Sequence, residues 1–174
     1  LAGLFSVLKP SVVRVGLGMG LDARAIATGF FVSRDGLVVT AGHVVSDLER
    51  QGRGSELSIK LASGALVRAL IVRIDKARDL ALLKAAATIG DEARPLALSD
   101  ATVAPGAAVI ALGMSASQEW VSTSGTVTAV NVSLPEFGSD LIEVRMKIEG
   151  GFSGAPVVDP TQRVVGVVAY GRPD

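Results

Sequence analysis

His43, Asp79 and Ser153 are the side chains on which nucleophilic chemistry can be built in this sequence. The chain's one histidine stands at the end of the apolar run Val38-Val-Thr-Ala-Gly-His-Val44, and Asp79 opens Asp79-Leu-Ala-Leu-Leu-Lys84. Ser153 lies in the glycine-rich turn Gly150-Gly-Phe-Ser-Gly-Ala-Pro156. A serine hydroxyl is a weak nucleophile near neutral pH and needs a base beside it, and an imidazole titrates in the right range. A carboxylate on the far ring nitrogen then selects the tautomer and stabilises the imidazolium that forms. Asp75 is close enough in sequence to rival Asp79 for that role. Gly150, Gly151 and Gly154 allow a turn in which the loop Gly151-Phe152-Ser153 forms an oxyanion hole, its donors the Gly151 and Ser153 amides. Such donors are worth about 3–4 kcal/mol each in an acyl-transfer transition state.

These groups must be held by strands. Leu57-Ser-Ile-Lys-Leu61 alternates apolar and polar residues, as does the stretch from Ile142 to Ile148. Further β-branched runs cover Ser11–Val15, Ile26–Val32, Leu37–Thr40, Leu66–Ile74, Leu80–Lys84, Ala107–Leu112, Val121–Val132 and Val164–Ala169. Glycine turns such as Arg34-Asp35-Gly36 and Ser63-Gly64 separate many of them. Short strands without a long helical period predict an all-β sandwich or barrel. Ala2–Leu8 is expected to form a short helix, and His43–Arg50 another turn or two. The least structured interval runs from about Ala86 to Ala104. It divides the chain into an N-terminal barrel, about 11–90, and a C-terminal barrel, about 104–174, packed as one unit with the site in the cleft between them.

Chain order narrows the chemistry. A Ser–acid–His order is impossible because no histidine follows Ser153, and the Gly-x-Ser-x-Gly elbow is missing. An acid–His–Ser order has Asp22 and Asp35 available, but it belongs to α/β scaffolds that the strand pattern does not suit. The order His43, Asp79, Ser153 is that of the chymotrypsin type.

Composition removes other classes. The 174 residues carry 17 Lys+Arg and 17 Asp+Glu, a formal net charge of zero, which leaves no basic footprint for nucleic acid. Zero cysteines exclude a thiol nucleophile, an iron–sulfur cluster and thiolate zinc sites, and a single histidine cannot build a histidine-rich metal site. No metal and no cofactor is therefore expected. Size scaling buries about 70% of the extended chain's surface, so no staple is needed. The longest uncharged run, Ala101 to Gln118, is interrupted by Pro105, Gly106 and Gly113 and reads as loop plus strand rather than a membrane span. Gly16-Leu-Gly-Met-Gly20 lacks the spacing and context of a phosphate loop and reads as a hairpin loop. Leu4, Phe5, Val7 and Leu8 either dock on a partner or cap a barrel. The first residue is not Met, so any native leader is expected to precede it.

Four segments together resemble the bacterial HtrA/Deg-type serine proteases. Thr28-Gly-Phe-Phe-Val-Ser-Arg-Asp-Gly-Leu-Val-Val-Thr-Ala-Gly-His-Val44 is similar to the family's catalytic-histidine segment, and Asp79–Lys84 to its aspartate strand. Thr123-Ser-Gly-Thr-Val-Thr-Ala129 resembles the second-barrel hairpin, and Gly151-Phe-Ser-Gly-Ala-Pro156 the nucleophile motif. The resemblance spans about Ser11 to Tyr170. It implies two packed six-stranded antiparallel barrels and a serine endopeptidase that cleaves misfolded or regulatory polypeptides through an acyl-enzyme. It also implies an extracytoplasmic setting, periplasmic, secreted or membrane-anchored. A membrane anchor or PDZ-like domain is expected only outside this chain, and a homo-oligomer is compatible with the family. The implied primary pocket is built from Ile148, Glu149 and Gly150 and from Val168, Ala169 and Tyr170, with Tyr170 narrowing it. With Glu149 its only acid, it is expected to take a small or medium aliphatic side chain. Three departures stand out: Phe152 where the family has Asn or Asp, Ala155 for the second glycine, and no Asn-Pro after Gly113. Phe152 either plugs an apolar pocket and holds the loop or marks a drifted, inactive site. The second reading is thus a protease-like peptide-binding or sensing module that is inactive or needs an activator.

Overall fold

The computed structural model describes residues 2–172. The first six strands are β1 (Val12–Leu17), β2 (Arg24–Phe31), β3 (Leu37–Ala41), β4 (Leu57–Lys60), β5 (Leu66–Asp75) and β6 (Leu80–Ala85). They close into a barrel in the order β1-β2-β3-β6-β5-β4, antiparallel throughout. Its interior is filled by Val13, Val15, Phe31, Val38, Leu57, Ile59 and Leu83, the apolar members of alternating strands. The second half contains β7 (Ala108–Met114), β8 (Trp120–Leu134), β9 (Gly138–Met146), β10 (Pro156–Val158) and β11 (Val164–Val167), in the order β11-β10-β7-β8-β9.

The all-β, two-part architecture is as the sequence implies, with one difference in the second half. That half is a five-stranded sheet, and among the described residues β9 and β11 are not paired to complete a six-stranded barrel. After β11 the alternation ends, and Val168 bonds instead to the nucleophile loop: its N–H donates to Ala155 O and its carbonyl accepts the Gly154 N–H. The strand β10 escapes sequence reading because three residues beginning with proline carry no periodic signal.

Among the described residues two α-helices complete the fold, α1 (Ala2–Leu8) and α2 (Gly42–Arg50). Three of the four apolar side chains singled out on α1 pack inward, while Val7 is exposed. Leu8 is buried, and Leu4 and Phe5 lie against a cluster of Val12, Phe30, Leu96, Leu112, Val158 and Val164. Val12 and Phe30 point out of the first barrel, so this cluster is the seam between the halves, and α1 seals it. The interval expected to be least structured is fixed by main-chain bonds on both sides: Leu96 N–H to Phe31 O, Val164 N–H to Ala97 O and Ser99 N–H to Val164 O. Arg14 adds a further tie, donating to Gln118 O at 2.8 Å with its guanidinium 5.1 Å from the Trp120 ring centroid. No helix among the described residues is long and apolar enough to cross a membrane.

Candidate active site

His43 and Asp79 meet where β3 passes into α2. The Gly42 N–H donates to Asp79 O at 2.9 Å, and a Cβ on Gly42 would stand 3.0 Å from the Leu80 main chain. This close approach brings the Asp79 carboxylate to the start of α2, whose N-cap residue Ala41 has no side-chain bond to offer. The carboxylate divides its oxygens. Oδ1 accepts the His43 backbone N–H at 2.6 Å, and Oδ2 faces His43 Nδ1 at 2.8 Å. One buried group therefore caps a helix N-terminus and orients the ring on its first turn. Asp79 sits at φ 54, in the left-handed region that aspartate tolerates better than most residues. Asp75, the rival, is taken up locally by the Arg78 N–H and guanidinium, each at 3.1 Å. The hydrogen bond to Asp79 raises the His43 pKa above 6.5. Partial burial opposes that shift, while the charges of Asp79 and Asp47 add to it.

Ser153 approaches from the other half. Its carbonyl accepts the Thr28 N–H from β2 at 2.9 Å. A Cβ on the neighbouring Gly154 would lie 2.9 Å from Ala41 N, two residues before His43. No hydrogen bond joins the Ser153 hydroxyl to His43 in the structure. Bonds of this kind are often long before substrate binds. The preceding residues form a turn closed by Phe152 N–H on Glu149 O at 3.2 Å, with Gly151 in its third position at φ 100. That is the type II pattern. The sign of φ at the third residue decides which way the central peptide, and with it the Gly151 N–H, faces.

Phe152 is 1% exposed and packs with Val109, Ala111, Val127, Ala155 and Val157. Its ring lies on Gly113, where a Cβ would come within 2.8 Å of it. Phe152 thus fills an apolar pocket beside the turn. Burying such a side chain stabilises by about 1.5–3 kcal/mol.

Around the implied pocket, Ile148, Val165 and Val168 each pack against the cluster that holds Phe152, and the Ile148 Cδ1 would lie 2.9 Å from a Cβ on Gly171. The Glu149 carbonyl closes the turn, and Gly150 has open space where a side chain would be. Ala169 falls in the irregular segment that follows β11. Tyr170 follows in the same irregular segment. It stacks on the His43 ring with centroids 5.5 Å apart, backed by Phe137 from the β8–β9 hairpin at 4.0 Å. Burial and the neighbouring Asp79 carboxylate raise the Tyr170 pKa above 10.0. Sequence reading did not single out Thr28, which the loop contacts through both its amide and its hydroxyl. Among the described residues no group of His, Asp and Glu side chains is arranged to hold a metal ion.

A closed six-stranded antiparallel barrel beside a second antiparallel β-sheet, with a His43–Asp79 pair where β3 passes into α2, is the architecture of the trypsin-like serine peptidases. The chain belongs to that family: the model for the trypsin-like peptidase domain matches residues 27–167. It is similar to "Serine protease HTRA1B" of Danio rerio, 33% identical over 150 residues, covering 83% of this chain and 30% of the relative. It is also similar to "Serine protease HTRA2, mitochondrial" of Bos taurus, 32% identical over 80% of this chain and 30% of the relative. A third relative is "Probable periplasmic serine endoprotease DegP-like" of Pseudomonas fluorescens, 30% identical over 84% of this chain and 29% of its own length. The chain thus spans about 30% of the length of these curated relatives. Among solved structures, Deg5 superposes with a TM-score of 0.79 at 27% identity, covering 97% of this chain and 83% of that one. The inactive form of the Rv3671c protease gives 0.78 at 26% identity, covering 99% and 82%.

Proposed function

We propose that this chain is the catalytic domain of a serine endopeptidase that cleaves polypeptides through an acyl-enzyme. The observation that carries the reading is the Asp79 carboxylate, held by the His43 N–H on one oxygen and facing Nδ1 with the other. With the proton kept on Nδ1, Nε2 presents a lone pair to Ser153. The Ser153 oxygen attacks the peptide carbonyl carbon while its proton passes to Nε2, giving a tetrahedral oxyanion and an imidazolium opposite Asp79. The Gly151 and Ser153 amides donate to that oxyanion. Collapse breaks the C–N bond, and the leaving amine takes the proton from Nε2. Water, deprotonated by His43, then releases the acyl group and restores the serine.

The Ile148 side chain, which a Cβ on Gly171 would overlap, supports a small or medium aliphatic residue before the cleaved bond. Relatives named as periplasmic support an extracytoplasmic setting, and misfolded or regulatory proteins are the substrates we assign. The second reading, a module that binds peptides without cutting them until it is switched on, is favoured by one observation. Tyr170 covers a face of the His43 ring.

Labelling with a fluorophosphonate separates the two. We expect one adduct, mapped to Ser153 and absent from Ser153→Ala. Folded protein that takes up no label would favour the binding module instead.

The pH dependence has a defined sign. Neutral imidazole is the base, so activity falls as His43 is protonated, with a midpoint displaced above 6.5. The same raised pKa means that the pair's contribution to stability is complete below about 6.5 and fades as pH rises through the folded-state value. An NMR titration of the single histidine reads it directly, and a midpoint at or below 6.5 would contradict the paired geometry.

A further inference from the structure

We propose that the Thr28 hydroxyl is a positioning group for the oxyanion turn, acting from the opposite barrel; this rests on the catalytic reading above. Thr28 is fully buried on β2, and each of its polar atoms is committed. Its N–H donates to Ser153 O at 2.9 Å, and its carbonyl accepts the Thr40 hydroxyl at 2.7 Å. Its Oγ1 accepts the Met114 N–H at 3.0 Å and donates to Gly151 O at 2.7 Å.

The direction of this relay is forced by chemistry. An amide N–H only donates and a carbonyl only accepts, so the hydroxyl must take a bond from Met114 and pass one to Gly151. Gly151 is the third residue of the type II turn. Holding its carbonyl fixes the peptide that follows it, and the positive φ then sets the direction of its own N–H. Met114 closes the other side, because a Cβ on Gly151 would stand 2.5 Å from Met114 O. Rotating the turn would strip the Thr28 hydroxyl of its acceptor in a place closed to water, where an unmade bond is expensive. The hydroxyl touches neither the reacting atoms nor His43. It works through Gly151, and it couples the barrel that carries the base to the turn that carries the oxyanion donors.

The test compares wild type, Thr28→Val, Thr28→Ala and Thr28→Ser by the rate of fluorophosphonate labelling at saturating probe and by the probe concentration giving half that rate. Removing an oxyanion donor outright costs about 100- to 1,000-fold in such systems, so misplacing one should cost about 10- to 100-fold. We expect that fall in the saturating rate for Thr28→Val, with half-saturation little changed and Thr28→Ser close to wild type. The His43 NMR titration should stay in place in all variants, because the His43–Asp79 pair is untouched. The 31P shift of the Ser153 adduct should move in Thr28→Val and not in Thr28→Ser. If Thr28→Val fails to fold, Thr28→Ala, which adds no bulk, carries the same expectation. Labelling of Thr28→Val or Thr28→Ala at the wild-type rate, or a Thr28→Ser variant as slow as either, would overturn the proposal. Folded wild-type protein that takes no label would instead remove the catalytic reading, and the role of Thr28 with it.

Discussion

Replacing Asp79 by asparagine is expected to lower the rate of Ser153 acylation by about 10⁴-fold, the loss known for this change in the Ser-His-Asp template. The geometry says why, and why nothing bulkier is needed. Asparagine has the same shape and also tolerates the left-handed backbone found here, at φ 54. The His43 main-chain N–H, 2.6 Å from Oδ1, demands an acceptor, so the amide oxygen must take that place. The amide NH₂ then occupies the position of Oδ2, 2.8 Å from Nδ1. Two donors cannot face each other, so Nδ1 must present its lone pair and the ring proton moves to Nε2. In that tautomer His43 can no longer accept the serine proton. Since the hydrogen bond to Asp79 is the largest cause of the raised His43 pKa, the same change should bring that pKa down. Labelling kinetics and the histidine NMR titration, run on one sample of Asp79→Asn, check both. Fast labelling with an unmoved pKa would mean that another group orients the ring.

The second large effect belongs to Gly154→Ala. The glycine has φ 88, and a Cβ there would lie 2.0 Å from Thr28 O, 2.3 Å from Thr40 Oγ1 and 2.9 Å from Ala41 N. Two of those atoms are backbone, and the third is a buried hydroxyl committed to Thr28 O at 2.7 Å. A left-handed non-glycine residue costs about 1–2 kcal/mol, and forcing extra atoms into a packed site about 1–3 kcal/mol more. A loss of about 2–5 kcal/mol is expected, which for a domain of this size lowers Tm by about 5–15 °C. Activity should fall as well, because relief of the overlap requires the Ser153 turn to part from β2. Gly150→Ala is the internal control. That position has no positive φ and no atom within 4 Å of its Cβ, so the thermal midpoint should barely move. Equal melting of the two variants would show that the turn yields without cost.

The strands that support the site were readable because each carries its signal locally, Leu57–Lys60 by alternation and Val12–Leu17 and Leu80–Ala85 as apolar runs. Val12–Leu17, Leu57–Lys60 and Leu80–Ala85 announce a buried face without reference to any partner. The three-residue strand Pro156–Val158 was not readable, since it exists only through its pairing with β7 and β11. The glycines of the Ser153 turn were visible as permission to bend, but not as a choice of turn type. That choice depends on Met114 and Thr28, 86 residues apart in sequence, meeting beside Gly151.

Residue types and local order were enough to propose which groups do the chemistry and to exclude the other arrangements. Nucleophile, base and acid are chemical identities, and their succession along the chain survives without coordinates. Tertiary structure alone decided between Asp75 and Asp79: one carboxylate is spent on Arg78 while the other is turned to the start of α2. It alone buried Phe152 against Gly113, pinned the segment from Leu96 to Ser99 between the two halves, and laid Tyr170 over His43. Each of these depends on a contact between residues distant in the chain, and such a contact leaves no periodicity for a local reading to detect.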